Sequence, residues 1–527
     1  MDLEKPGLYY DEVLFVNAAL GEAVPGLFVH SRLFDTPVQL MPYIGALKAW
    51  LFAPIFAVFG VTPLTIRLPS LIIGAAGLWI GFLTVRRTLG ARWALIFTGL
   101  CAASPGFFLV TRHDWGPDSL MLLFKAISLY CLVRWIQSGR KKWLAALTLT
   151  FALGLFDKLN FIWYIAAFAA ATPLCFPSAF RILLNKHAGK ALAIAAVFGV
   201  AAAIFILPLL ELPDLATMLP RLNQITTLIN ATFDGNSIQA LFLEEEVPLY
   251  YRWSFILLAC LVAGMLLLAC NIWRSWQRRN LSVKTITQYP PLDWALKLSS
   301  FSAIVGTIIF LEIVITPQAG GPHHAMMIFP YPQLILVAAC ACWANLPTKI
   351  SKPVRNAGVV LTAFAIVVVL LADAQATVYF QRQISQTEKF KAKWSTAIYE
   401  LGDLVNEKEA TNSYNNIVLG DWGLATQLIG MVSAPSRRKM LDYWPTFSMR
   451  MEKSAAIRAE DDQRIYEMAP FIGILFAEEH ASFSATRSGF IDALNSIDVD
   501  YTIDIIHDGD EALYEVYTVT PRNPDAH

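Results

Sequence analysis

The chain has 527 residues, no net charge, 56% hydrophobic and 16% charged residues, and a mean hydropathy of +0.49. A soluble globular protein carries roughly 25% charged residues, so this composition excludes an ordinary soluble protein. The balanced charge gives no support for a nucleic-acid partner. The seven cysteines all lie in apolar runs, so we expect packing residues and no disulfide framework.

Apolar runs of near twenty residues predict membrane-spanning helices. The ten predicted spans are 66–85, 93–111, 119–137, 143–156, 160–177, 191–210, 251–273, 294–316, 326–346 and 356–379. Lys and Arg accumulate in the cytoplasmic loops of membrane proteins. Five loops rich in them, which begin at Arg86, Arg140, Arg181, Arg274 and Lys349, alternate with loops that have almost none. The pattern places the other loops and both polar ends outside the cytoplasm.

The segment 38–60 is long enough to span a membrane, but Pro42, Lys48 and Pro54 interrupt it. A further span here would reverse the side on which the N-terminal residues lie. We therefore interpret the segment as an interfacial or re-entrant helix on the outer face, with a span as the alternative.

The composition changes near Phe380, where charges become frequent and apolar stretches shorten to strand length. The predicted strands are 417–423, 471–477, 501–507 and 513–519, with helical patterns at 385–406 and 484–496. The predicted fold is mainly α: a polytopic membrane domain of about ten or eleven spans over 1–380, followed by a soluble extracytoplasmic α/β domain over 381–527.

Ionisable groups in or beside membrane spans are energetically costly, so each is a candidate functional residue. On the predicted outer face they are Asp11, Glu12, Arg112, His113, Asp114, Asp118, Asp157, Lys158, Glu244, Glu245, Glu246, His323 and His324. Their convergence at one membrane surface predicts a polar cavity there.

Each candidate also has a plain structural interpretation, and these alternatives stay open. The pair Asp11 and Glu12, in YYDEVLF, is either a polar tail or a catalytic loop. The other structural roles are a helix cap for Asp114 or Asp118, a local ion pair for Asp157 and Lys158, and a solvated loop for the paired histidines or for Glu244 to Glu246. A metal site needs three or four convergent ligands, so none is predicted from the histidines.

Several segments, in this order, resemble a known family. They are the acid pair, the segment LMPYIGALKAWLFAPIFAVFGVTPLTIRLPSLIIGAAG, SPGFFLVTRHDWGPDSLMLLF, GLFDKLNF and GGPHHAMMIFPYPQLIL. The set resembles the GT-C superfamily of membrane glycosyltransferases over about residues 7–345, and within it the protein O-mannosyltransferases and lipid A aminoarabinose transferases. Members usually have a span before the acid pair, so we expect a truncated or misassigned start here.

The resemblance implies an enzyme that moves a sugar from a polyprenyl-phosphate-linked donor to an acceptor on the outer face of a membrane, with inversion and without a cofactor. A bacterial inner membrane is the expected location. By resemblance, Asp11 is the base, and Glu12 helps to hold the acceptor or the donor. Asp118, a second catalytic acid, completes the acidic pocket together with Asp114. Lys158 and Arg112 are candidates for binding the donor phosphate. His323 or His324 matches the polar position that opens the family's late outer loop, and both are candidates for binding substrate. The sugar and the acceptor stay open.

Two other classes of protein remain as alternatives. A transporter or flippase would share the apolar body, but no internal repeat is visible and the ionisable residues concentrate at one interface. A sensor or assembly protein would act through the C-terminal domain. Its IVLGDWG segment lacks a GxGxxG pattern, so we expect no nucleotide cofactor there and instead a domain that caps the site or contacts the acceptor.

Overall fold

The computed structural model describes residues 2–113, 115–180, 215–243, 289–316, 319–346, 352–411 and 414–522. The predicted spans 191–210 and 251–273 lie outside the described residues. Asp114 and the run Glu244 to Glu246 lie outside them as well, as do the first residues of three of the basic loops.

The chain divides into two compact units. The first unit comprises Met1–Pro69, Leu241–Glu244 and Arg382–His527, and the second comprises Ser70–Ala240 and Glu245–Gln381. The first residues of the chain thus group with its C-terminal region. The predicted domain boundary near residue 380 stays a prediction.

Long apolar helices dominate the part of the chain before residue 387. They are α3 (Leu47–Phe59), α4 (Pro63–Thr88), α5 (Ala91–Ala103), α6 (Pro105–Arg112), α7 (Asp118–Ser138), α8 (Lys141–Asp157), α9 (Phe161–Cys175), α10 (Leu215–Phe233), α12 (Pro291–Ile315), α14 (Tyr331–Ala344) and α15 (Lys352–Gln386). Short helices are α1 (Tyr10–Val13), α2 (Val16–Ala19), α11 (Asn236–Gln239) and α13 (Pro322–Ala325).

Eight of the ten predicted spans coincide with described helices. Within the described residues, five helices are long and apolar enough to cross a membrane. The count becomes six if α5 and α6, which meet at a 63° bend, form one broken span. Helices α8 and α9 have 17 and 15 residues and fall below that length. The total of ten or eleven spans stays a prediction.

The segment 38–60 is not one helix. Strands β1 (Ser31–Leu33), β2 (Thr36–Met41) and β3 (Ile44–Gly45) form a small antiparallel sheet that ends where α3 begins. Helix α3 has 13 residues. At 1.5 Å per residue it is about 20 Å long, too short for a hydrocarbon core of about 30 Å. The length is that of the predicted interfacial or re-entrant helix.

The C-terminal part of the first unit contains a mixed sheet in the order β5-β4-β6-β8-β7. Its strands are β4 (Asn416–Leu419), β5 (Met440–Asp442), β6 (Phe471–Phe476), β7 (Val499–Asp508) and β8 (Glu511–Pro521). Its helices are α16 (Ala397–Thr411), α17 (Leu424–Leu428), α18 (Ala434–Lys439), α19 (Trp444–Ser448), α20 (Ala455–Met468) and α21 (Ala485–Ser496). Strands β5, β4 and β6 are parallel, and β8 and β7 continue the sheet antiparallel.

Burial explains why β6 forms the middle of this sheet. All six of its residues are buried, as expected for a strand covered on both faces. Phe471, Leu475 and Phe490 pack with Tyr517 in the core that joins α21 to the sheet. The predicted α/β character of the C-terminal region is therefore confirmed, although the short strand β5 was not predicted.

Candidate functional site

In the first unit, the acid pair lies on the short helix α1, where Glu12 is buried and Asp11 is partly exposed. Glu12 forms an ion pair with Arg67 of α4: the Arg67 Nε donates to Glu12 Oε2 at 2.7 Å, and Nη2 donates to Oε1 at 2.8 Å. The exposed fractions of the two side chains are 1% and 0%. This paired geometry fixes the helix that carries Asp11.

Arg67 also holds the segment that precedes the acid pair. Its Nη1 donates to the carbonyl oxygens of Leu3 and Pro6 at 2.7 and 2.8 Å, and Nη2 donates to that of Gly7 at 3.1 Å. One buried guanidinium therefore satisfies a carboxylate and three carbonyl groups. The arginine of the RLPS segment is a residue whose role the sequence did not reveal.

Two aromatic stacks join the acid-pair loop to the C-terminal residues of the same unit. The Tyr9 and Trp394 rings lie 4.3 Å apart at 8°, and the Tyr10 and Trp422 rings lie 4.4 Å apart at 28°. The Gln427 side chain donates to the Leu8 carbonyl oxygen at 2.9 Å. Stacked aromatic pairs contribute about 0.5–1.5 kcal/mol each beyond their burial, so these contacts set the position of the loop.

The surroundings of Asp11 are phenolic and acidic. Burial and the Asp11 charge raise the pKa of Tyr9 to about 12. Burial and then the charge of Asp11 also raise the pKa of Tyr10, with smaller contributions from Tyr43 and Asp442. Neighbouring residues shield the Asp442 carboxyl, at the end of β5, from part of the surrounding water and raise its pKa to about 7. The partly exposed Asp11 therefore lies near three phenol groups, those of Tyr9, Tyr10 and Tyr43.

In the second unit, Asp118 is the first residue of α7 and Pro117 is its N-cap, so the cap interpretation of Asp118 is wrong. Its carboxylate is fully buried, and Asp118 Oδ1 lies 3.6 Å from Nζ of Lys158. Lys158 is the residue directly after the end of α8. The pair brings together two candidate residues that are 40 positions apart in the sequence.

The two histidines belong to the same region of the second unit. Lys158 interacts electrostatically with both His323 and His324, whose rings are 4.0 Å apart. His323 stacks against Trp115 at 6.5 Å, and His324 packs against Trp163 at 5.8 Å. The histidines are therefore partly buried among aromatic rings.

Arg112 ends α6 and is fully buried, with Nη1 3.4 Å from Nε2 of His113. Asp157, the last residue of α8, is also buried. In the described part of the chain, no group of three or more His, Cys, Asp or Glu side chains is arranged to hold a metal ion.

Lys48 and Lys125 are buried lysines for which the sequence predicted no functional role. In the first unit, Lys48 lies over the Phe15 ring, with Nζ 4.2 Å from the centroid. In the second unit, the Lys125 ammonium donates to the carbonyl oxygens of Met327 and Phe329. A charge inside an apolar run was the signal that would have identified both.

Comparison with known proteins connects these residues to a fold. A family model described as dolichyl-phosphate-mannose-protein mannosyltransferase matches residues 45–206. No curated protein matches the chain. The crystal structure of ArnT from Cupriavidus metallidurans in the apo state is 12% identical, with a TM-score of 0.51 over 98% of this chain and 94% of that one.

The chain has a GT-C fold. The same ArnT bound to undecaprenyl phosphate matches with 13% identity and a TM-score of 0.46, over 96% of this chain and 92% of that one. The predicted resemblance and the fold class are confirmed: the chain is an integral membrane protein with a mainly helical fold and a C-terminal sheet region. The roles of the individual site residues stay predictions.

Proposed function

We propose that this protein is a membrane glycosyltransferase that takes a sugar from a polyprenyl-phosphate-linked donor and transfers it to a hydroxyl-bearing acceptor outside the cytoplasm. The match to the dolichyl-phosphate-mannose-protein mannosyltransferase model over 45–206 carries the proposal. The matched segment contains Arg67, Arg112, Asp118 and Lys158, whose charges are all buried in the structure. The partly exposed Asp11, held by Arg67 through Glu12, adds an accessible base.

The proposed reaction requires a base and cations but no acid. The acceptor oxygen attacks the anomeric carbon of the donor, and the bond from that carbon to the phosphate oxygen breaks. The acceptor proton passes to the Asp11 carboxylate, and the polyprenyl phosphate leaves as an anion. A displacement of this kind inverts the anomeric centre.

The residues divide between these two requirements. Asp11 is the base, since it is the partly exposed carboxylate of the acid pair. Glu12 and Arg67 hold the loop that carries it. Lys158 and Arg112 supply the positive charge for the leaving phosphate, with Asp118 orienting the Lys158 ammonium and His323 or His324 beside it. We place Asp114 in the acidic pocket by resemblance alone.

The decisive experiment measures transfer of radiolabelled sugar to membrane extract by the purified full chain in detergent. The donors are mannosyl and aminoarabinosyl polyprenyl phosphates, and the variants are Asp11→Asn and Asp35→Asn. Asp35 is an exposed carboxylate between β1 and β2 and is the matched control. We expect Asp11→Asn to lower the transfer rate by about 10²–10⁴-fold and Asp35→Asn to leave it unchanged.

Equal transfer by wild type and Asp11→Asn would remove Asp11 from the chemistry. Absence of transfer from every polyprenyl-linked donor by the wild-type chain would contradict the proposed enzyme class. The sugar that is transferred would identify the donor.

A further inference from the structure

A short turn between α15 and α16 connects the first residues of the chain with the C-terminal sheet of the same unit. The turn is the 3₁₀ helix Ala392–Trp394. The Trp394 ring stacks on Tyr9, and the Trp394 carbonyl oxygen accepts a hydrogen bond from the Gly7 N–H at 2.7 Å. The neighbouring residue Lys393 extends this connection, because its side chain and its carbonyl group contact different segments of the unit.

The Lys393 ammonium lies at the carboxyl ends of β4 and β6. It donates a hydrogen bond to the hydroxyl of Ser482, in the loop that follows β6. Its Nζ is 5.1 Å from the ring centroid of Trp422, in the loop that follows β4, and 5.2 Å from that of Phe476, the last residue of β6. A cation at such a distance is attracted by the negative face of an aromatic ring. One charge therefore holds a hydroxyl group and two rings.

Asp421 ties the same two loops together and is the counter-charge of Lys393. The carboxylate is fully buried, and its Oδ1 accepts hydrogen bonds from the N–H groups of Trp422 and Ser482 at 2.7 and 3.2 Å. Burial lowers the pKa of Lys393, and the charge of Asp421 opposes this shift. Removal of the ammonium would leave the buried carboxylate without this cation, so the loops that it joins depend on Lys393.

The main chain of Lys393 is connected to the acid-pair loop through Gln427 of α17. The buried Gln427 amide donates one hydrogen bond to the Lys393 carbonyl oxygen at 2.7 Å and another to that of Leu8 at 2.9 Å. The Trp422 ring, which the Lys393 ammonium contacts, stacks on Tyr10 with 4.4 Å between the centroids. Leu8 and Tyr10 are therefore both connected to Lys393, one through its carbonyl group and the other through its charge.

We propose that Lys393 is a positioning residue that holds the loop carrying Asp11 at a fixed place on the C-terminal sheet. Asp11 follows Tyr10 directly in the chain, so the place of the Trp422 ring determines the place of the Asp11 backbone. A base must lie within hydrogen-bond reach of the proton that it accepts, and a loop that moves therefore slows proton transfer. This catalytic consequence rests on the proposed function, whereas the hold on the loop does not.

Hydrogen–deuterium exchange of the full chain in detergent, read by mass spectrometry, measures the hold on the loop without any transfer. Lys393→Met removes the charge, Ser482→Ala removes the hydrogen-bond acceptor, and Lys393→Arg keeps a cation. Lys389→Met is the matched control, since Lys389 is an exposed lysine of the same connection that pairs with Glu511. We expect the amides of residues 7–13 to exchange about tenfold faster in Lys393→Met and less markedly faster in Ser482→Ala. Lys393→Arg and the control should exchange at the wild-type rate.

The transfer assay tests the consequence for catalysis. Lys393→Met is expected to lower kcat about tenfold and to change donor KM less than about twofold, because it moves the base and leaves the donor contacts in place. Lys393→Arg should keep most of the wild-type kcat, because its guanidinium also donates to a hydroxyl group and stacks on an aromatic ring.

Unchanged exchange of residues 7–13 in Lys393→Met would overturn the proposal, and so would equal loss of kcat in the methionine and arginine variants. Faster exchange together with wild-type kcat would remove the positioning role and leave the proposed function intact. If the wild-type chain transfers no sugar while Lys393→Met still exchanges faster, the proposed function fails and the hold of Lys393 on the loop stands.

Discussion

Glu12 and Arg67 form a doubly hydrogen-bonded ion pair that is almost completely withdrawn from solvent, although 55 positions separate them in the sequence. The pair joins the acid-pair helix to the beginning of α4. Because Glu12 is next to Asp11 in the chain, the ion pair holds the loop that carries Asp11. The predicted contact of Glu12 with substrate stays a prediction.

Breaking this pair is expected to destabilise the first unit strongly. Arg67→Met leaves the Glu12 carboxylate and three carbonyl groups buried without their donor, at a cost of about 3–5 kcal/mol. Glu12→Gln keeps a polar partner for the guanidinium and should cost less. Thermal unfolding in detergent measures both, and equal midpoints for the two variants would contradict the role of Arg67 as an anchor of residues 3–7.

The matched control is Arg522→Met, which removes an exposed ion pair with Asp498 and Asp500 in the same unit. Exposed pairs contribute about 0–1 kcal/mol, so its unfolding midpoint should stay close to that of the wild type.

The pair of Asp118 and Lys158 gives a second prediction. Lys158→Met leaves a fully buried carboxylate without this cation and should lower the unfolding midpoint more than Asp118→Asn does. The double variant should regain at least half of the loss, because contacting residues are energetically coupled.

Sugar transfer separates the structural role of Lys158 from its proposed phosphate role. If Lys158 holds the donor phosphate, the double variant stays at least tenfold impaired in donor KM even where its stability recovers. Recovery of both properties together would assign the lysine to structure alone.

Trp422 is predicted to position Asp11 by its stack on Tyr10. Loss of the stack in Trp422→Ala removes about 0.5–1.5 kcal/mol, which corresponds to a kcat lower by about two- to tenfold if the loop geometry governs the rate. Trp422→Phe retains an aromatic ring and should keep most of the activity. A change confined to donor KM, or equal damage by alanine and phenylalanine, would contradict a positioning role.

Asp442 is predicted to make stability depend on pH. Its pKa of about 7 in the folded chain lies above the ordinary value of 3.8. The folded state therefore binds a proton between these values that the unfolded state has released, and stability falls as pH rises from about 4 through 7. Because water still reaches this side chain and screens its charge, the effect on the free energy of unfolding is discounted to about 1 kcal/mol.

Asp442→Asn removes the loss of stability that ionisation of Asp442 causes in the folded chain. The variant should unfold at a higher temperature than the wild type at pH 8 and at a similar one at pH 4. A pH-independent difference between the two chains would refute the assignment of the titration to Asp442.

The sequence was informative where the physical cause is local. A membrane span is recognised by the length and the hydropathy of one continuous segment, and eight of the predicted spans therefore coincide with helices. Strand β5 has three residues and gives too short a pattern to recognise. The sheet β1 to β3 was missed because the apolar run through 38–60 hides the change from strand to helix at Ala46.

The residues that hold the acid-pair loop in place could not be identified from the sequence. Gln427 and Leu8 are 419 positions apart, and no local pattern marks Trp422 as the partner of Tyr10. The sequence pointed to the charged candidates because charges in or beside apolar spans are costly, but it did not point to the neutral residues that contact them. Arg67 was visible within a motif, yet its partner Glu12 was assigned to substrate.

The contacts between the first residues and the C-terminal region also constrain how the protein is made. Gly7 lies so close to the Ser395 carbonyl oxygen that a Cβ would overlap it, and its N–H donates to the Trp394 carbonyl oxygen at 2.7 Å. During translation these partners leave the ribosome after every described apolar span has been synthesised. The loop that carries Asp11 is thus synthesised before the described spans and completed only after them, and a chain interrupted before Trp394 would have these spans without a finished loop.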